Sequence, residues 1–169
     1  MGKEKQRSIG IIEDQIIKHN GLFDFDAILK AIPVWYSKHN YNAMQKAHSQ
    51  KKKGAGGYLE ATWVGEREVT DYVKFVIKVD IWLRDYIDVA IEEKGETRKM
   101  NKGNLEITFN SVIEKDYQGI FISKREVEYK FIREMYEKYV IKKKLQNFET
   151  KLLNETQDLI RHIQKFLKR

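Results

Sequence analysis

The sequence predicts an α+β protein: an antiparallel four- to five-stranded meander with an N-terminal helix and one or two long C-terminal helices packed on one face. In the middle of the chain, apolar residues recur at every second position, and near both ends they recur every three or four. These periods are typical of half-buried strands and amphipathic helices, respectively. The net charges of residues 1–57, 58–119 and 120–169 are +5, −4 and +6, so charge and hydrophobic period change at the same boundaries.

Length and composition indicate one soluble domain. The chain has 169 residues, of which 41% are hydrophobic, enough for one core of ordinary size. It contains no cysteine, which excludes disulfides and thiolate nucleophiles, and it lacks the roughly 18–20 consecutive apolar residues of a membrane span. No apolar signal segment follows the N-terminus, so we expect a cytoplasmic protein. The predicted organisation is a disordered tail (1–7), a single α+β domain (8–145) and a C-terminal amphipathic helix (146–169) that docks or projects.

The N-terminal block contains one clear helix and one ambiguous segment. The isoleucines between residues 9 and 17 fit either a strand or a short helix, and residues 19–21 (His-Asn-Gly) have the composition of a turn. Asp24 or Asp26 is expected to cap the helix that follows. Pro33 falls inside the helical pattern and is expected to kink or split that helix.

Two weaker predictions concern the segment that follows this helix. Residues 43–50 have a weakly helical pattern. Residues 51–57 combine three lysines with three glycines, a composition that favours a flexible loop.

The alternation in the middle of the chain is the strongest structural signal. It predicts an antiparallel meander with one buried face. Turns are expected at residues 93–96, the best hairpin candidate, and at residues 102–104. The four alternating runs are 59–63, 75–83, 87–91 and 105–109.

The last block is predicted to be helical. Residues 123–126 (Ser-Lys-Arg-Glu) have the capping-box pattern. Two apolar stripes follow, and no glycine or proline separates them, so one bent helix and two helices are both consistent with the pattern. The first stripe consists of Val127, Phe131, Met135 and Tyr139, joined by Ile132 and Tyr136, and the second runs from Leu145 to Leu167.

Several short segments resemble a family of small uncharacterised archaeal proteins. The resemblance spans residues 22–145 and implies an archaeal source and one continuous domain. It implies no activity, because none is known for that family. The similar segments are residues 23–29 followed by Trp35, then 69–74, 100–103, 114–117 and 136–141.

The sequence contains no recognisable catalytic, cofactor or metal motif. Nucleophile elbows, phosphate-binding loops and dinucleotide fingerprints are absent. The closest pair of histidines, His39 and His48, is too widely spaced for an ordinary metal site. An unrecognised enzyme site near Trp35, Tyr36 and Trp63 is the third functional hypothesis, although these aromatics fit a core better. We therefore predict no catalytic residue, no cofactor and no metal ligand.

The basic charge makes nucleic acid a second candidate partner. Binding through the open sheet face is disfavoured, because only Tyr58 and Trp82 could stack on bases and acidic residues surround them. RNA- or ribosome-associated binding would then depend on phosphate contacts from the flanking segments. The candidate residues are Lys51, Lys52, Lys53, Lys142, Lys143, Lys144, Lys165, Lys168 and Arg169.

The preferred hypothesis is a non-enzymatic binding or assembly domain that presents helical surfaces to a macromolecule or to copies of itself. The C-terminal stripe repeats at heptad spacing, but Glu155 and His162 interrupt a strict coiled coil. The acidic residues of the same helix argue against contact with a membrane surface. The candidate partner-binding residues are Trp82, Leu152, Leu159, Ile163 and Phe166.

Overall fold

The chain forms a five-stranded antiparallel sheet with helices on one face, which confirms the predicted α+β class. The computed structural model describes residues 7–53, 56–93, 95–120 and 126–167. Strand order is β1-β5-β4-β3-β2, so the last four strands form the predicted meander and β1 lies beside β5. The elements are β1 (Ser8–Phe23), α1 (Phe25–Lys38), β2 (Asn42–Lys53), β3 (Gly56–Glu68), β4 (Val73–Glu93), β5 (Glu96–Lys115), α2 (Glu126–Met135), a π-helical segment (Tyr136–Ile141) and α3 (Lys142–Leu167).

The core lies between the sheet and helices α1 and α3. The hydroxyl of Tyr36 on α1 donates to the carbonyl oxygen of Ile77 at 3.0 Å, and Phe148 on α3 packs edge-on against Phe75 at 6.0 Å. Alternate residues of β4 point into this layer, as the period of two predicts. The fully buried residues of β4 are Phe75, Ile77, Val79, Ile81 and Leu83.

One predicted turn is correct and two are wrong. Glu93 pairs with Glu96 where β4 meets β5, which confirms the hairpin at residues 93–96. Residues 102–104 lie inside β5, and residues 19–21 lie inside β1. A Cβ at Gly103 would lie 2.8 Å from the Cα of Tyr86, so this glycine permits a close backbone approach and does not form a turn.

The run at residues 87–91 is not a separate strand with a buried face. It is the outer part of β4, beyond a bulge at which Asp85 has φ 50° and the pairing register shifts. A bulge changes which face the following side chains occupy, so Ile87 is 47% exposed.

The ambiguous N-terminal segment is a strand. β1 begins at Ser8 and pairs with β5, with a bulge near Asp14, where φ is 49°. The carbonyl oxygen of Arg7 accepts a hydrogen bond from the amide of Lys115 at 2.7 Å, so the predicted disordered tail is wrong for Arg7. Residues 1–6 of that tail lie outside the described residues.

Helix α1 is capped as predicted but is not split. The carboxylate of Asp24 accepts a hydrogen bond from the amide of Ala27 at 2.9 Å. The helix continues through Pro33 to Lys38. Proline removes one intrahelical hydrogen bond, but the buried side chains on both sides of it hold the helix against the sheet.

The predictions of a weak helix at 43–50 and a flexible loop at 51–57 are wrong. Residues 42–53 form β2, and β3 starts at Gly56; residues 54–55 lie outside the described residues. β2 is an edge strand that pairs with β3, and most of its side chains are exposed. An edge strand with few buried positions has little apolar alternation, so periodicity misses it.

The C-terminal region forms one continuous helical stretch that contains a π-helical segment. Helix α2 begins at Glu126, while residues 123–125 of the predicted capping box lie outside the described residues. None of the described helices is long and apolar enough to cross a membrane. Helix α3 docks on the sheet through the buried residues Leu152, Thr156, Leu159, Ile160, Ile163 and Leu167.

Candidate binding surface

Apart from Tyr136, which is partly buried against the core, the described residues of the first apolar stripe face solvent. Their exposed fractions range from 42% for Met135 to 66% for Tyr139. The sequence predicts that the first helical stripe packs on the sheet, and that prediction is wrong for the exposed residues of the stripe. We call this surface the α2 face; it consists of Phe131, Ile132, Met135, Tyr139 and Val140.

Polar contacts on the opposite side of the helix fix the α2 face in this orientation. The hydroxyl of Tyr72 donates to Oε1 of Glu137 at 2.5 Å, and Nζ of Lys115 donates to Oε2 at 2.7 Å. The Tyr136 ring packs edge-on against Tyr72 at 5.4 Å. Because a π-helix has more residues per turn than an α-helix, it changes which side chains of the following turn face the sheet.

Burial and the Glu137 contact both favour the protonated form of Tyr72. Burial raises the pKa of Tyr72 well above its usual range, and the hydrogen bond and charge of Glu137 raise it further. Tyr72 therefore remains a hydrogen-bond donor throughout the physiological pH range. The ion pair with Lys115 neutralises the carboxylate that accepts this bond.

A cleft of about 430 Å³ lies beside this anchor. Its walls are mostly apolar and aromatic and include Val73, Ile141 and Phe148, while Lys144 and Asp71 supply charge. The cleft lies where the β3–β4 connection meets the π-helical segment.

Four of the five predicted partner-binding residues are not on a free surface. Leu152, Leu159 and Ile163 are 0% exposed, and Phe166 is partly buried against the same core. Helix α3 uses these residues to dock on its own sheet, and partner binding through them stays a prediction. Trp82 is half-buried on the open face.

The predicted phosphate contacts do not form one patch. Lys51 pairs with Tyr58 near the start of β3, whereas Lys144 lies in the cleft with Tyr72, beyond the end of that strand. Lys142, Lys143, Lys144 and Lys165 are exposed on α3. Lys52 and Lys53 end β2, and Lys168 and Arg169 lie outside the described residues. Phosphate binding through these residues stays a prediction.

The aromatic residues of the hypothetical enzyme pocket belong mainly to the core. Trp35 is 3% exposed and Tyr36 is 0% exposed, while Trp63 packs partly buried against the same cluster. Within the described ranges, no group of three or more His, Asp or Glu side chains could hold a metal ion.

Sequence reasoning missed a polar cluster that joins α3 to the rest of the core. Nη2 of Arg67 donates to both carboxylate oxygens of Glu155, and the hydroxyl of Tyr41 donates to Oε2 at 2.6 Å. One turn further along α3, Asp158 accepts a hydrogen bond from Nε1 of Trp35 at 2.9 Å. The signal was present in the sequence, because Glu155 interrupts the apolar stripe of α3.

Comparison with protein-family models finds no match, and a search of curated proteins finds no significant relative. The resemblance to a family of small archaeal proteins stays a prediction.

Proposed function

We propose that this protein is a binding and assembly domain whose α2 face pairs with the α2 face of a second copy. The observation that carries the proposal is the exposure of five large apolar side chains in one helical stretch. A stripe of this kind usually contacts the core or another molecule. Here the core is already covered by α1 and α3.

The size of the α2 face fits a reversible contact. Phe131 and Tyr139, at 64% and 66% exposure, together offer roughly 250 Å² of aromatic surface. With the three aliphatic side chains, the patch reaches the several hundred Å² typical of interaction sites. An interface built on it is smaller than that of an obligate dimer, so we expect a dissociation constant of about 1–100 μM.

The charge distribution along this stretch favours a second copy in antiparallel orientation. Residues 138–144 contain four lysines and no acidic residue, whereas residues 126–134, which include Glu128 and Glu134, contain three acidic and two basic residues. A twofold axis near Met135 would place the acidic end of each copy opposite the basic end of its partner. Twofold symmetry is the commonest arrangement of homo-oligomers, and complementary charges favour one orientation.

The anchored geometry lowers the entropic cost of pairing. Glu137 is held by both Tyr72 and Lys115, so the helix that bears the α2 face is already oriented. Binding then requires little ordering of the backbone.

Sedimentation equilibrium over a range of protein concentrations tests the proposal. The wild-type chain should shift reversibly from 20.1 kDa to twice that mass. The double variant Phe131→Ser/Tyr139→Ser should weaken dimerisation by at least about tenfold, because exposed aromatic anchors dominate small interfaces. Ile16→Ser is the matched control, since Ile16 is 47% exposed on β1, away from the α2 face. A wild-type chain that stays monomeric at 1 mM would contradict the proposal.

Charge reversal tests the antiparallel arrangement separately. Lys142→Glu/Lys143→Glu should weaken the dimer by several-fold, because it places like charges opposite Glu128. Adding Glu128→Lys to that variant should restore most of the affinity. If the triple variant is weaker still, the two copies do not pair in this orientation.

A further inference from the structure

The open face of the sheet contains a groove beside an aromatic side chain. The groove measures about 340 Å³, which is larger than one nucleobase, and lies between β1, β5 and β4. Its walls include Trp82, Arg84, Lys18, Asn20, Asn104 and Glu106.

Trp82 offers a flat ring to this groove. The side chain is half-buried, with Tyr58 packed edge-on at 6.2 Å, and the Arg84 guanidinium carbon lies 5.6 Å from the ring centroid. The other two tryptophans, Trp35 and Trp63, pack against the core on the opposite face. The guanidinium lies over the ring, and bases stack on both kinds of flat group.

The strand register sets cationic and amide side chains in a line next to Trp82. One row crosses all five strands, and it spans about 19 Å at about 4.8 Å per strand. Such a row matches the length of a few nucleotides. It consists of Lys51, Tyr58, Arg84, Asn104 and Asn20.

The acidic residues near Trp82 already have partners. Glu60 accepts a hydrogen bond from the Tyr58 hydroxyl at 3.2 Å, and Glu106 lies 3.4 Å from Nζ of Lys18. The Lys18 ammonium offsets the charge of Glu106 and weakens its repulsion of a phosphate, whereas the hydroxyl of Tyr58 is neutral and offsets no charge on Glu60. The two cations of the row, Lys51 and Arg84, lie on either side of Tyr58.

From this arrangement we infer that the groove binds a nucleobase of a single-stranded nucleic acid. The base stacks on Trp82, its edge meets the amides of Asn20 and Asn104, and the neighbouring phosphates contact Arg84 and Lys51. A duplex cannot bind in this way, because its bases are stacked on one another. This site differs from the phosphate contacts on α3, and it does not depend on the proposed dimer.

Fluorescence anisotropy with fluorescein-labelled U12, dT12 and a blunt 12-base-pair duplex tests the inference. U12 and dT12 report whether the sugar matters to the shared stacking chemistry. At least one single strand should bind about tenfold more tightly than the duplex. With two cations in contact, log K should fall with log[salt] with a slope of about −1.4.

Three variants and a matched control locate the site. Trp82→Ala should weaken single-strand binding by about tenfold, in the range reported for loss of one stacked base, and leave the salt slope unchanged. Trp82→Phe keeps an aromatic ring and should bind nearly as the wild type does. Arg84→Ala should reduce the magnitude of the slope by about 0.7. Lys78→Ala removes a cation from the same strand and face, three rows away, and should change neither quantity.

Three results would overturn the inference. They are no binding of either single strand at 100 μM protein in 50 mM salt, equal affinity for the duplex, and binding that Trp82→Ala and Arg84→Ala both leave unchanged. The Phe131→Ser/Tyr139→Ser variant should retain single-strand binding, so failure of the dimer and failure of this site are distinguishable.

Discussion

Arg67 and Glu155 form the ion pair that joins helix α3 to the sheet. Nη2 of the arginine lies 2.8 Å and 3.0 Å from the two carboxylate oxygens, and the side chains are only 16% and 15% exposed. Nη1 donates to the carbonyl oxygen of His39 at 2.8 Å, and the guanidinium lies 4.5 Å from the Tyr41 ring. One side chain therefore connects β3, the end of α1, the start of β2 and α3.

Removing one member of this pair should destabilise the protein strongly. Arg67→Ala leaves a largely buried carboxylate without its cation, which costs about 3 kcal/mol in comparable pairs. The free energy of unfolding, measured by urea denaturation, should fall by about that amount. The double variant Arg67→Leu/Glu155→Leu should recover much of the loss, because neither charge remains to be desolvated.

The control for this prediction is an exposed pair on α2. Lys130 and Glu134 are 51% and 58% exposed and 4.0 Å apart, so Lys130→Ala should cost less than about 0.5 kcal/mol. If Arg67→Ala costs no more than this, the Arg67–Glu155 pair does not hold α3 to the sheet.

A second prediction concerns Gly65, over which the Tyr36 ring packs. A Cβ at this position would overlap Cε1 and Cδ1 of the ring. Gly65→Ala should therefore cost about 2 kcal/mol by overpacking, as measured by chemical denaturation. In a Tyr36→Leu background the same substitution should cost clearly less, and equal costs in the two backgrounds would show that the ring is not what Gly65 accommodates.

The elements predicted correctly are those with a dense local pattern. The alternation along β4 and the Asp24 cap of α1 are local features, and both follow from the sequence. β2 was missed because an edge strand buries little, and its pairing partner lies elsewhere in the chain. The sequence predicts a turn at Gly103, because it does not reveal how closely the backbone at Tyr86 approaches this glycine.

The candidate site is harder to predict, because the spacing of apolar residues does not indicate which of the two helical stripes packs against the sheet. Phe131 and Leu159 both belong to helical stripes, yet the first is 64% exposed and the second is buried. The sheet has room for α1 and α3 on its apolar face, and the polar anchor at Glu137 holds α2 with its apolar side outward. That outcome depends on contacts between distant parts of the chain.

A third prediction is loss of stability at alkaline pH. Burial raises the pKa of Tyr36 and Tyr41 above the usual tyrosine value of 10.0, with further contributions from Asp80 and Glu155, respectively. Above pH 10 the unfolded chain loses these protons while the folded chain keeps them, so the free energy of unfolding falls as pH rises. Below pH 10 these two groups contribute no pH dependence.

Tyrosinate absorbance at 295 nm measures this effect. Of the nine tyrosines, at least Tyr36, Tyr41 and Tyr72 should ionise only as the protein unfolds, giving a late step that coincides with loss of circular dichroism. In urea, all nine should titrate together near pH 10. A single titration near pH 10 in the folded protein would contradict the burial of these hydroxyls.

A final prediction follows from a serine on the inner face of the sheet. Ser111 is fully buried opposite Ile77, and within the described part of the chain its hydroxyl has no hydrogen-bond partner. A buried hydroxyl without a partner costs free energy, so Ser111→Ala should stabilise the protein by about 1 kcal/mol in thermal or urea denaturation. Thr62→Val is the matched control, since Oγ1 of Thr62 donates to Oδ1 of Asp80 at 2.7 Å, and its loss should destabilise by about the same amount. If Ser111→Ala destabilises as Thr62→Val does, the hydroxyl of Ser111 forms a hydrogen bond in solution.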